Sequence, residues 1–114
     1  MLSAVQIHNE IERCLARLDE LTEEIRSAAV DAARSDAAFK VAFSRSRLTA
    51  RATATGKVTI DYVEDVATTE TAELRLTSSI ATNNLTTLRD VLRSTQAQLD
   101  GLRTLSTSYR VAGG

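Results

Sequence analysis

The chain has no proline and no tryptophan, and only one cysteine, one histidine and four glycines in 114 residues. Without proline, nothing removes a backbone donor from a helix interior, so long uninterrupted helices are permitted. Aromatic residues are 4% of the chain. That is little bulk for a globular core, yet a thin coiled-coil seam needs only Leu, Ile and Ala. The single cysteine, Cys14, makes no internal disulfide and suits a reducing compartment. Cys14 and His8 do not amount to a zinc set, which takes several such ligands. Cys14 reads as a seam residue packed near Leu99, and His8 as a surface flank beside Arg103.

An excess of charge of either sign is missing too. The formal net charge is −1, so no whole-chain attraction to nucleic acid or to a membrane surface follows. No segment approaches the roughly 18 apolar residues of a membrane span. The first ten residues lack a basic start and an apolar run, so no signal peptide is expected there and the expected location is cytoplasmic. Catalytic constellations are absent as well. Glu10, Glu12, Asp19, Glu20, Glu23 and Glu24 read as a solvated helix face rather than an acid/base pair. Gly56-Lys57 lacks the Gly-x-x-x-x-Gly-Lys-Ser/Thr frame of a phosphate-binding loop. The expectation is a non-enzymatic chain with no cofactor and no metal.

What is present is periodicity. Hydrophobic residues make up 43% of the chain and charged residues 25%, the balance of a folded domain. Apolar and small residues recur at Ala4, Ile7, Ile11, Cys14, Leu18, Leu21, Ile25, Ala28, Ala32, Ser35, Phe39, Ala42 and Ser46. The spacing alternates three and four, the heptad rule. A second stripe follows the same rule: Ala67, Thr71, Leu74, Ser78, Ala81, Leu85, Leu88, Leu92, Thr95, Leu99, Leu102, Ser106, Tyr109. Threonine, a mediocre helix former, is abundant in the second half, so burial rather than propensity must stabilise that arm.

Between the stripes Gly56 suits a left-handed helix C-cap, Thr59 suits an N-cap, and Asp61 is favourable in a first turn. The chain therefore reads as one domain, with a helix over about 2–53, a turn over about 54–59 and a helix over about 60–110. Gly101 should be tolerated within the second helix at about 1 kcal/mol, and Val111-Ala112-Gly113-Gly114 should fray. The fold class is all-α: a long antiparallel helical hairpin, or coiled coil, whose uncovered flanks point to pairing into a four-helix bundle.

Folding back around Gly56 makes facing residue numbers add to a constant. Ile11 meets Leu102, Cys14 meets Leu99, Leu21 meets Leu92, Ile25 meets Leu88, Ala28 meets Leu85 and Phe39 meets Leu74. The same register sets Asp36 opposite Arg75 and Arg45 opposite Glu70, and sets Asn84 near Asp31. The seam is uneven. Away from the turn it is rich in Leu and Ile. Near the turn it is Ala, Ser and Thr, which bury less area, so that half is expected to be looser or to need a partner.

Two groups of residues are candidate sites. Leu15, Phe43, Val63, Val91 and Leu105 sit beside the seam, where a two-helix hairpin does not cover them, and mark a partner or oligomer interface. Lys40, Arg45, Arg47, Arg51 and Lys57 form an acid-free run that suits a phosphate backbone. Asp61, Glu64, Asp65, Glu70 and Glu73 form a base-free run beside it, so intramolecular charge matching is favoured over nucleic acid.

Ala37-Ala38-Phe39-Lys40, then Gly56-Lys57-Val58-Thr59, then an Ala/Leu/Arg-rich second helix ending Leu105-Ser106-Thr107-Ser108-Tyr109-Arg110, resembles the layout of small helical proteins from phages and prophages of Gram-positive bacteria, especially actinobacteria. The resemblance covers most of the chain. It implies a phage origin, and some such proteins belong to early regions concerned with host takeover or DNA metabolism. The secreted helical hairpins of mycobacteria are similar in size, but their Trp-x-Gly turn and their Tyr-x-x-x-Asp/Glu ending are missing here. The resulting expectation is a phage-encoded interaction or adaptor protein that acts on itself or on a bacterial host protein. The alternatives are an accessory protein of phage DNA replication or recombination, and a virion or assembly component.

Overall fold

A computed structural model describes residues 2–113. Among them every regular element is helical: α1 (Ala4–Thr53), α2 (Ile60–Glu70) and α3 (Ala72–Ala112). The fold is an all-α antiparallel helical hairpin, with α1 as one arm and α2 and α3 as the other.

The starts of α1 and α2 are each closed by a side chain. Ser3 and Gln6 cap α1 reciprocally: the Gln6 amide donates to Ser3 Oγ at 3.2 Å, and the Ser3 amide donates to Gln6 Oε1 at 2.8 Å. This capping box satisfies two of the donors that a helix start leaves free. Thr59, in extended backbone, accepts from the Tyr62 amide at 3.1 Å, with Asp61 in the first turn of α2. Gly56 carries the only positive φ among the described residues, 86°, and reverses the chain where a Cβ would be strained.

The threonines do not leave their hydroxyls idle. Thr22, Thr49, Thr53, Thr69, Thr77, Thr95, Thr104 and Thr107 each donate to the carbonyl four residues earlier. Such back-bonding satisfies the hydroxyl at a small cost in helix regularity. The cost becomes visible at Thr71, which is 3% exposed. Its hydroxyl and its amide both donate to the Ala67 carbonyl, at 2.6 and 3.1 Å, and its φ and ψ open to −107° and 12°. The second arm is thus divided into α2 and α3 at a buried, doubly bonded threonine, where the stripe alone predicts one continuous helix. Gly101 lies within α3, and the helix runs on to Ala112. The Gly113 amide donates to the Tyr109 carbonyl at 2.8 Å, so the tail is helical rather than frayed; Gly114 lies outside the described residues.

The chain packs as two units. The first joins the chain up to Ser27 with the chain from Thr86 onward. Its core is Ile7, Cys14, Leu99 and Leu102, with Ile11, Leu18 and Tyr109 packed against it. Ile11 and Leu102, and Cys14 and Leu99, which the register sets opposite each other, thus fall in one cluster. Leu21 is wholly buried in the same unit, and the Tyr109 hydroxyl donates to the Leu2 carbonyl. The second unit is Ala28–Leu85. Its buried residues are Ala28, Ser46, Ala50, Val63, Ala67, Thr71 and Ser78.

Every half-buried or buried residue from Ala67 onward belongs to the second stripe, and only Leu74 of that stripe is exposed, at 39%. Leu74, expected opposite Phe39, comes three residues after the distortion at Thr71. On α1 the covered face shifts sideways. Glu10 and Arg17 are half-covered on one flank early, whereas Ala29, Asp36, Phe43 and Ala50 are covered on the other flank later. A straight helix drifts about 20° per heptad against a strict seven-residue repeat, and this is the direction of the shift.

Candidate functional site

The two acid-free and base-free runs lie on the second unit, around the turn. One ion pair crosses between them among the described residues: Arg47 Nε lies 3.1 Å from Glu64 Oε1. The alignment is that of an ion pair and not of a hydrogen bond, since Nε is buried without a hydrogen-bond partner. The Arg47 guanidinium also stands 5.8 Å from the Phe43 ring centroid, and Phe43 is tilted 5.8 Å from Phe39. These three residues recur at four-residue intervals on α1, so they form one ridge. Ridge and ion pair close one edge of the unit.

Two predicted cross-arm pairs are replaced. Asp36 binds Lys40 one helical turn away at 2.8 Å instead of Arg75. Glu70 accepts from the Ser46 hydroxyl instead of binding Arg45. For Asp36 the reason is geometric: an i,i+4 partner is held at short range by the helix itself, whereas a cross-seam pair must order two long side chains. Glu70 keeps a cross-arm partner, but the short Ser46 side chain in place of Arg45. The other ion pairs are also local, including His8–Glu12 and Arg17–Glu20. Hydrogen bonds that Arg17 donates to Glu20 and then to Glu24 raise the pKa of its guanidinium above the ordinary value.

The basic candidates therefore separate. Lys40 and Arg47 are occupied by Asp36 and Glu64. Arg45 and Arg51 are exposed, but six helical residues set them about 120° apart. Lys57 lies in the turn, beside an open hollow of about 420 Å³ that Thr53, Thr55, Val58, Thr59 and Tyr62 also line. The five do not form one face.

The apolar candidates fare differently from one another. Val63 is 2% exposed and belongs to the core, so its place beside the seam is a correction: α2 starts in a phase that turns Val63 inward with Ala67 and Thr71, at successive intervals of four. Phe43 is half-buried under Arg47. Leu15, Val91 and Leu105 are exposed in the first unit, at 38%, 36% and 41%. Val91 and Leu105 are two heptads apart and share one edge of α3.

Larger exposures occur further round the helices. Val41 is 55% exposed, Leu48 65% and Ile80 60%. Val41 and Leu48 are one heptad apart on α1, and that seven-residue spacing was available in the sequence. Asp31, Arg34, Thr77, Ile80 and Asn84 line a shared groove of about 460 Å³ between the arms of the same unit. Asn84 and Asp31 are both exposed.

Cys14 is free and buried. Among the described residues no three His, Cys, Asp or Glu side chains gather to hold a metal ion, and no helix is long and apolar enough to cross a membrane. No protein family, curated protein or solved structure matches this chain.

Proposed function

We propose that this chain is a non-enzymatic interaction or adaptor protein, phage-encoded, that docks through the side faces of its hairpin on itself or on a bacterial host protein. The observation that carries this reading is the set of large apolar side chains outside both cores, among them Val41, Leu48 and Ile80 at more than half exposure. Branched aliphatic side chains left in water at heptad spacing are covered when a further helix packs on them. The phage setting rests on the layout of the chain and its Ala-, Arg- and Thr-rich composition.

A light-scattering series into the high micromolar range, paired with recovery of bound proteins from a bacterial host lysate, tests the reading. Self-association or a specific bound protein is expected. A strict monomer that retains nothing argues against it. In the nucleic-acid alternative, DNA binding is salt-sensitive and is lost in the Arg47→Glu/Arg51→Glu variant.

A further inference from the structure

The unit Ala28–Leu85 has one closed edge and one open edge. Phe43, Arg47 and Glu64 close the first. The second exposes Arg34, Val41, Arg45 and Leu48 on α1 and Glu73 and Ile80 on α3. Arg34 and Ile80 line one groove there, which fixes them on a common side. By the register of the hairpin, Leu48 lies level with Val66, Arg45 with Glu70 and Val41 with Glu73. Among the described residues, Arg34, Arg45 and Glu73 have no ion-pair partner. The open edge thus carries a basic and apolar strip on α1 and an acidic and apolar strip on the other arm, side by side and antiparallel.

We propose that this edge docks a second copy of the chain about a two-fold axis running along the helices, so that α1 of each copy lies on the second arm of the other and both turns sit at the same end. The proposal rests on the side-face reading above and names its partner. Rotation about that axis keeps every level and exchanges the arms. Each Arg45 then meets the acidic strip of Glu70 and Glu73 on the other copy, Leu48 meets Val66, and the Arg34 stem covers Ile80. A two-fold axis across the helices would set α1 on α1 and second arm on second arm, bringing Glu73 toward its own copy and leaving Arg45 without acids. Charge complementarity therefore selects the first arrangement, because like charges juxtaposed in an interface are strongly disfavoured. The result is a local four-helix packing that covers the Ala/Ser/Thr seam.

The test is a charge exchange followed by sedimentation equilibrium. Arg45→Glu and Glu73→Arg are both surface changes, and circular dichroism should show helicity unchanged. Each variant alone should self-associate about tenfold more weakly than the parent chain. An equimolar mixture should recover parental association, since both cross-copy pairs become Glu–Arg again. Spin labels at Lys57→Cys in a Cys14→Ser background should then lie within about 30 Å across the pair, the width of a few helices. Association unchanged in both single variants, no recovery on mixing, or a label separation beyond about 40 Å, overturns the proposal. A monomeric parent chain that still retains a host protein through Val41 and Leu48 also overturns it, while the side-face reading survives. A monomer that retains nothing removes both.

Discussion

The two packing units share a backbone plan and differ in what fills the space between their arms. In the first unit Ile7, Leu21, Leu99 and Leu102 are buried, each removing a large aliphatic side chain from water, at about 1.5–3 kcal/mol apiece. In the second, Ala28, Ser46, Ala50, Ala67, Thr71 and Ser78 take those places and Val63 is the one large aliphatic side chain buried. A small side chain lets helices approach but removes little apolar surface. The same unit leaves Val41, Leu48, Leu76 and Ile80 more than half exposed. Most of its large aliphatic side chains point outward, and small ones fill most of its buried positions. That inversion is what a helix pair shows when further helices are meant to lie against it. The comparison teaches that helix content alone is a poor guide to where a hairpin is stable.

The largest effect that can sharpen the contrast is at Leu21. Leu21→Ala should cost about 3 kcal/mol in urea denaturation through lost transfer energy and a residual cavity. Ala67→Gly in the second unit should cost about 1 kcal/mol, the helix-propensity difference. Equal costs would break the comparison. Next comes the contrast between a true core residue and a flank. Val63→Ala should lose about 2 kcal/mol, and Leu105→Ala less than about 0.5 kcal/mol. Thr59→Ala removes the cap of α2 and should cost about 1 kcal/mol by the same measurement. The smallest change is a gain. A Cβ added at Gly101 meets nothing within 4 Å, so Gly101→Ala should raise stability by about 0.5–1 kcal/mol.

Much of this fold was legible in the heptad spacing. The stripes located the seam because burial follows period, and the Gly56 and Thr59 signals located the turn because each residue type meets a specific backbone need. Three features were not legible. The distortion at Thr71 depends on a hydroxyl that shares an acceptor with its own amide, and every buried threonine in a helix looks alike in sequence. The phase of α2, which buries Val63, follows from the cap and the turn rather than from the stripe. Asp36 pairs with Lys40 rather than Arg75 because a helix holds i,i+4 neighbours close at no extra ordering cost, and the cross-arm ion pair falls to Arg47 and Glu64 instead. Of the candidate interface residues, Leu15, Val91 and Leu105 are on the surface, while Val63 is in the core and Phe43 lies partly beneath Arg47. Val41 and Leu48, both more than half exposed, lie further round α1 than the seam's immediate flanks, where a three-four stripe carries no signal.

Native-state hydrogen exchange, read amide by amide, tests the central contrast most directly. The account predicts that α1 amides between Ala32 and Ser46 and α3 amides between Glu73 and Ala81 open at lower free energy than those between Ile7 and Leu21 and between Leu92 and Leu102. Protection that is equal in the two sets, or higher beside the Ala/Ser/Thr seam in dilute solution, would contradict it.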